Sequence, residues 1–234
     1  MGAKTLGTII DEGMTLGNRD DADCKAWVLA WVNNWLRQTY MSWDYPFLHR
    51  SREALSLAAG TTSLDVGAGQ SGITIEIQRV LDPIWVYKSD YSYKGQARIR
   101  QLIGGNDTRF EDRIQDTTVN RGAPTQVRVR PHSTTYGRHS LIFLPVPDAA
   151  YLLAFDYIGL PANLVAADTP IYPNDSTLVQ AALAATHLFA DGQSSAEYKD
   201  ALVVLSTKVT EDKARFGATP GVNDLLPLDG GVFR

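Results

Sequence analysis

Residues able to do chemistry are few and scattered in this 234-residue chain. Gly67-Ala68-Gly69-Gln70-Ser71-Gly72 is a glycine-rich stretch, but a phosphate cradle of the P-loop type needs a following Lys-Ser/Thr and a helix. Here the next run, Ile73-Thr74-Ile75-Glu76-Ile77, alternates like a strand, so the stretch reads as a turn. None of His49, His132, His139 and His187 stands four residues from another His or Cys, which removes the helical zinc spacings. His132 and His139 flank a Ser/Thr/Gly-rich loop and could meet across a hairpin. A metal pair is one reading, and two solvated loop histidines the preferred one. There is no Gly-x-Ser-x-Gly elbow. Cys24 sits beside Trp27 and Val28 in a first helical turn, with no histidine near it in sequence, a poor setting for a nucleophilic thiolate. The pairs Asp11-Glu12 and Glu211-Asp212 read as solvated faces of helices. The sequence therefore predicts no catalytic residue, no metal ligand and no cofactor, and a protein that is not an enzyme.

Bulk properties narrow the class. Hydrophobic content of 44% and charged content of 21% are those of an ordinary globular chain able to fold without staples. The single cysteine excludes an intrachain disulfide. The first sixteen residues carry Asp11 and Glu12 without an apolar core, unlike a signal peptide. No apolar run reaches membrane-spanning length of ~20 residues. Charge is unevenly placed: residues 94–138 hold 9 Lys/Arg against 4 Asp/Glu, whereas 139–234 hold 5 against 11. A basic middle could meet phosphate or an acidic protein surface. The simpler reading, which we prefer, pairs these arginines on exposed strands with Asp107, Glu111, Asp112 and Asp116.

The elements that would position any site follow from periodicity. Leu6, Ile9, Ile10, Gly13 and Leu16 have helical spacing, and Gly17-Asn18 ends that helix. Asp20, Asp21 and Asp23 offer a cap for a second helix. Trp27, Trp31 and Trp35 recur every fourth residue on it, with Val28, Val32 and Leu36, as one apolar stripe. That stripe is a candidate core or intersubunit face; a stacking platform for sugars or bases is the sharper alternative. Asn33, Asn34, Arg37 and Gln38 fall opposite. The helix runs to Tyr40 or Ser42, because Pro46 disfavours helix before it, and Trp43, Tyr45 and Phe47 alternate beyond.

Between about 50 and 160 the period falls to that of strands: 54–57 and 63–66 as a hairpin about Ala59-Gly60-Thr61, then 73–77, 81–87, 126–130, 140–144 and 151–158. Val127 and Val129 alternate with Arg128 and Arg130, giving a half-buried strand with a cationic face. A short helix or irregular segment is expected near Asp107–Gln115. After Pro173 helix returns. One helix spans Ser176–Ala190 with Asn174 or Asp175 as cap and Gly192 as stop. The signature Ser194-Ser195-Ala196-Glu197 opens a second helix, antiparallel to the first. The fold class is α+β. Terminal helices (1–48 and 174–217) form a bundle, an antiparallel β-rich region (49–173) is inserted, and 218–234 form an extended C-terminal tail.

The order of these marks resembles the head-to-tail adaptor (connector) family of tailed phages, tail tubular protein A-like, of short-tailed phages. The resemblance runs over about residues 4–215. It is carried by the helix ending in Trp43-Asp44-Tyr45-Pro46-Phe47-Leu48 and by Ala58-Ala59-Gly60-Thr61-Thr62-Ser63-Leu64-Asp65-Val66. Gly122-Ala123-Pro124-Thr125, Leu144-Pro145-Val146-Pro147-Asp148-Ala149-Ala150-Tyr151, Asp156-Tyr157-Ile158-Gly159-Leu160-Pro161 and Thr169-Pro170-Ile171-Tyr172-Pro173 follow in the same order, before the closing helix pair. These marks are turns and strand ends. Pro145 and Pro147 fix φ, and Asp148 is expected to bond its own backbone two residues on.

The resemblance implies a structural virion protein, made in the host cytoplasm and placed at the portal–tail junction. Its partners would be the portal protein, a tail tube or nozzle protein and other copies in a dodecameric ring. Double-stranded DNA would pass through the lumen without sequence-specific binding, and no membrane is involved. A nozzle or stopper component, or a carbohydrate-binding module, are the alternatives. Leu225, Leu226, Leu228, Val232, Phe233 and Arg234 would form a portal-docking arm, because an extended apolar segment can order on binding.

Overall fold

The computed structural model describes residues 4–88, 97–102 and 121–216. They divide into a helical unit, residues 4–47 with 162–216, and a β unit, residues 48–161. Residues 162–173, placed with the inserted region from sequence, group with the helices.

In the helical unit, α1 (Leu6–Leu16) is capped by Thr5, whose hydroxyl accepts from the Thr8 amide at 3.3 Å. Its Leu6 and Gly7 amides, which a helix start leaves unpaired, donate to the carbonyls of Asp168 and Ala166, each at 2.8 Å. The returning segment thus closes α1. Helix α2 (Ala22–Ser42) begins at Asp21, which accepts from the Cys24 amide at 2.7 Å, and ends at the extended Trp43. Asn174 caps α3 (Asp175–Asp191), and Gly192 ends it at a left-handed φ of 78°. Ser195, one residue beyond the position a capping box implies, accepts from the Tyr198 amide and opens α4 (Ala196–Phe216).

Helix α3 packs against α1, α2 and α4. Its buried face is Ala181, Ala182, Ala184 and Ala185 with Leu178, small side chains that let neighbours approach closely. The approach is tightest at Gly13 of α1, where an added Cβ would lie 2.6 Å from that of Ala182. Helices α3 and α4 run antiparallel, as their four-residue link requires; Gln180 Nε2 donates to the Ala201 carbonyl and Lys208 Nζ to Ser176 Oγ.

The β unit is built on one eight-stranded sheet with strands β1 (His49–Leu57), β2 (Ser63–Val66), β3 (Glu76–Val80), β4 (Ile84–Lys88), β5 (Ala97–Leu102), β7 (Gln126–Pro131), β8 (His139–Leu144) and β10 (Tyr151–Leu160). Its order is β1-β10-β4-β5-β7-β8-β2, with β3 also on β10. Strand β10 is its spine. It pairs β1 along one edge, and on the other it pairs β4 through Tyr151–Ala154 and then β3 through Tyr157–Leu160. The β1–β10 register shifts between Arg52 and Leu55, where Ala54 takes a φ of 54°, a bulge. Leu57, Val66, Ile77, Ile84, Val127 and Leu141 are among the side chains filling its core.

Three expectations change here. Strands β1 and β2 stand at opposite ends of the sheet and form no hairpin. The turn between them is real, but long-range partners, β10 and β8, compete successfully for both edges. The alternating run at 73–77 becomes strand only from Glu76, since Ile73 is still engaged in the turn through Gln70. Antiparallel pairing dominates, yet β5–β7 is parallel, as is the small sheet of β6 (Arg121–Gly122) and β9 (Val146–Pro147). The segment Asp107–Gln115 lies outside the described residues.

Candidate interaction surfaces

The three tryptophans of α2 separate by depth. Trp31 is buried with Val28, Val32 and Leu36, while Trp27 and Trp35 lie at the margins of that stripe. Trp27 remains 36% exposed against the half-exposed Phe189, ring centroids 5.6 Å apart. Trp35 leans on Tyr172 at 5.9 Å. A spacing of four drifts around a helix of 3.6 residues per turn, so such a row cannot all face one way. Asn33, assigned to the polar side from sequence, is buried. Its amide donates to the Leu164 carbonyl at 2.9 Å and its oxygen accepts from the Leu164 amide at 2.7 Å. The side chain acts as a strand-like partner for the returning backbone, which satisfies both groups out of water.

Beyond α2, Tyr40, Tyr45, Phe47 and Tyr172 pack ring on ring at centroid separations of 5.0–6.5 Å. Burial holds the Tyr45 hydroxyl up at about 12, and burial first, then neighbouring Tyr45 and Asp212, raises that of Tyr172. Asp212, expected on a solvated face, is only 2% exposed. It accepts from Tyr172 Oη at 3.1 Å, Asn174 Nδ2 at 2.6 Å and Thr177 Oγ1 at 2.6 Å. Next to it, Lys213 lays its ammonium 4.7 Å over the Trp43 ring. The spacing Tyr198, Ala201, Leu205, Val209, Asp212 puts the carboxylate on the buried stripe of α4. That period was the available signal for it, masked by the residue's charge. Three donors converging on one carboxylate make it an internal hydrogen-bond hub that fixes the Tyr172–Thr177 segment against α4.

In the β unit the glycine-rich stretch is a double turn. Gly67, Ala68, Gly69, Ser71 and Gly72 all take positive φ, and Arg138 donates twice to the Ala68 carbonyl. The histidine pair is divided. His132 Nδ1 accepts from the Thr134 and Thr135 amides, and its Nε2 lies 3.6 Å from Asp65. His139 pairs with Pro131 in the β7–β8 register, its Nδ1 buried with no hydrogen-bond partner among the described residues. Burial lowers the His139 pKa. Among the described residues no group of three His, Cys, Asp or Glu is placed to hold a metal ion. Arg128 and Arg130 stand half-buried on β7. Asp148 accepts from the Tyr151 hydroxyl at 2.7 Å across the β9–β10 turn.

The described residues thus present surfaces and geometry-setting clusters. Residues 225–234, the expected docking arm, lie outside them. The sequence model of the SU10 adaptor protein family matches residues 4–221. The chain belongs to that family of phage head-to-tail adaptors and is a structural protein of the virion. A search of curated proteins found no match.

Proposed function

We propose that this chain is the subunit of the adaptor ring joining the portal to the tail tube or nozzle, and that it does no catalysis. The observation carrying this reading is the family match over residues 4–221. It is supported by an α+β chain whose buried polar groups, Asn33 and Asp212 foremost, are spent on internal geometry. In this reading the ring is dodecameric, as the family resemblance implies. Double-stranded DNA crosses its lumen with weak, salt-sensitive and sequence-independent contact, because a channel that gripped phosphates would stall the genome.

Leu225, Leu226, Leu228, Val232, Phe233 and Arg234 form the portal-docking arm. Large apolar side chains on an extended segment order when a partner groove covers them. No described helix is long and apolar enough to cross a membrane. The test is capture of the full chain and of a chain ending at residue 217 on purified portal. The account expects the full chain to bind and the shortened one to lose at least about tenfold in affinity, equivalent to ~1.4 kcal/mol. Equal binding by both removes the arm, and failure of the full chain to bind removes the adaptor reading.

A further inference from the structure

Among the described residues, α4 and α2 of the helical unit each present an exposed, largely apolar face. On α4, Val203 and Val204 are 64% and 44% exposed, and Thr207 and Thr210 continue the same exposed face. Branched residues at solvated helix positions lower helix propensity and gain nothing from water, so their concentration mid-helix marks a surface that is covered in use. On α2, Ala26, Trp27, Ala30 and Asn34 are exposed, with Phe189 of α3 packed beside Trp27. Helices α2 and α4 each pack on α3. The faces belong to different helices and differ in shape: one is a ridge of branched side chains, the other a row of small ones beside an aromatic edge.

Ridge and row fit one another by the rule of ridges into grooves. Their ends also match in charge. The α2 face runs from Asp23 to Arg37, about 21 Å, and the α4 face from Asp200 to Arg215, about 22 Å, at 1.5 Å per residue. Laid antiparallel, Asp23 meets Arg215 and Arg37 meets Asp200, with the helix dipoles opposed as well.

We infer that the α4 face of one copy docks antiparallel on the α2 face of the next. Such a contact uses two different patches of one chain, the heterologous arrangement that generates closed rings or filaments and not two-fold dimers. The inference rests on the ring reading above and deepens it by naming the faces.

The test is cysteine crosslinking of the full chain with a short bismaleimide, at high concentration in solution and in phage particles carrying the variants. The native Cys24 is fully buried. With Ala30→Cys and Thr207→Cys in the same chain, a ladder of dimer, trimer and higher species is expected. Each single variant should stay uncrosslinked, and a mixture of the two should stop at dimer. Val204→Glu should weaken association by about tenfold or more, since it buries an unpaired charge, while leaving thermal unfolding of the subunit unchanged. Crosslinking of either single variant with itself, or particles containing the chain with no ladder from the double variant, overturns the inference and leaves the adaptor reading standing. Particles that lack the chain at the portal–tail junction sink the adaptor reading, whatever the solution ladder shows.

Discussion

Replacing Asp212 with alanine leaves the Tyr172 and Thr177 hydroxyls, both buried, and the part-buried Asn174 amide without their common acceptor. Each stranded donor costs about 1–3 kcal/mol, so Asp212→Ala should lose about 3 kcal/mol or more in urea unfolding. A neighbouring exposed change such as Glu211→Ala should stay within about 0.5 kcal/mol. His139 gives a prediction in pH. Its folded pKa is lowered by burial from 6.5, so the unfolded chain takes up the proton first. Stability is intact above about 6.5 and declines as pH falls below it. His139→Gln should flatten that part of the profile relative to the parent protein; identical slopes would show that the imidazole contributes nothing.

At the scale of elements, Gly13 sets how closely α1 lies on α3. A methyl group there would stand 2.6 Å from Ala182 Cβ and 2.9 Å from the Val179 carbonyl oxygen, so the helices must separate. Helix propensity favours Gly13→Ala by about 1 kcal/mol, and overpacking costs about 1–3 kcal/mol. Net destabilisation of about 1 kcal/mol is expected by thermal denaturation, and stabilisation would show the interface to be slack.

Elements of this kind were readable in sequence to different depths. The helices were legible because their caps are local: Asp21, Asn174 and Gly192 each act within a few residues of themselves. Strand positions were legible from alternation, as at Val127 and Leu141. Strand partners were not, since β1 chooses β10 from across some hundred residues and nothing within His49–Leu57 names that choice. Of the proposed surfaces, the α2 stripe was visible but its depth was not, because Trp27 and Trp31 differ only by where the helix rolls. Asp212 and Asn33 were hidden by the presumption that polar means outside.

For the whole molecule, the chain leaves a helical layout at Phe47 and returns to it at Ala162. Among the described residues, its exposed large apolar side chains include Trp27, Phe189, Val203 and Val204. Branched apolar side chains left at a helix surface suit a subunit built for assembly. Membership of the SU10 adaptor protein family gives that assembly a setting in the virion, and the proposed ring puts it between portal and tail. Electron microscopy of intact particles tests this most directly. The account predicts a ring of this chain bound between the portal and the tail tube or nozzle, enclosing the DNA path. Finding the chain on tail fibres, or an occupied portal–tail junction without it, would contradict the account.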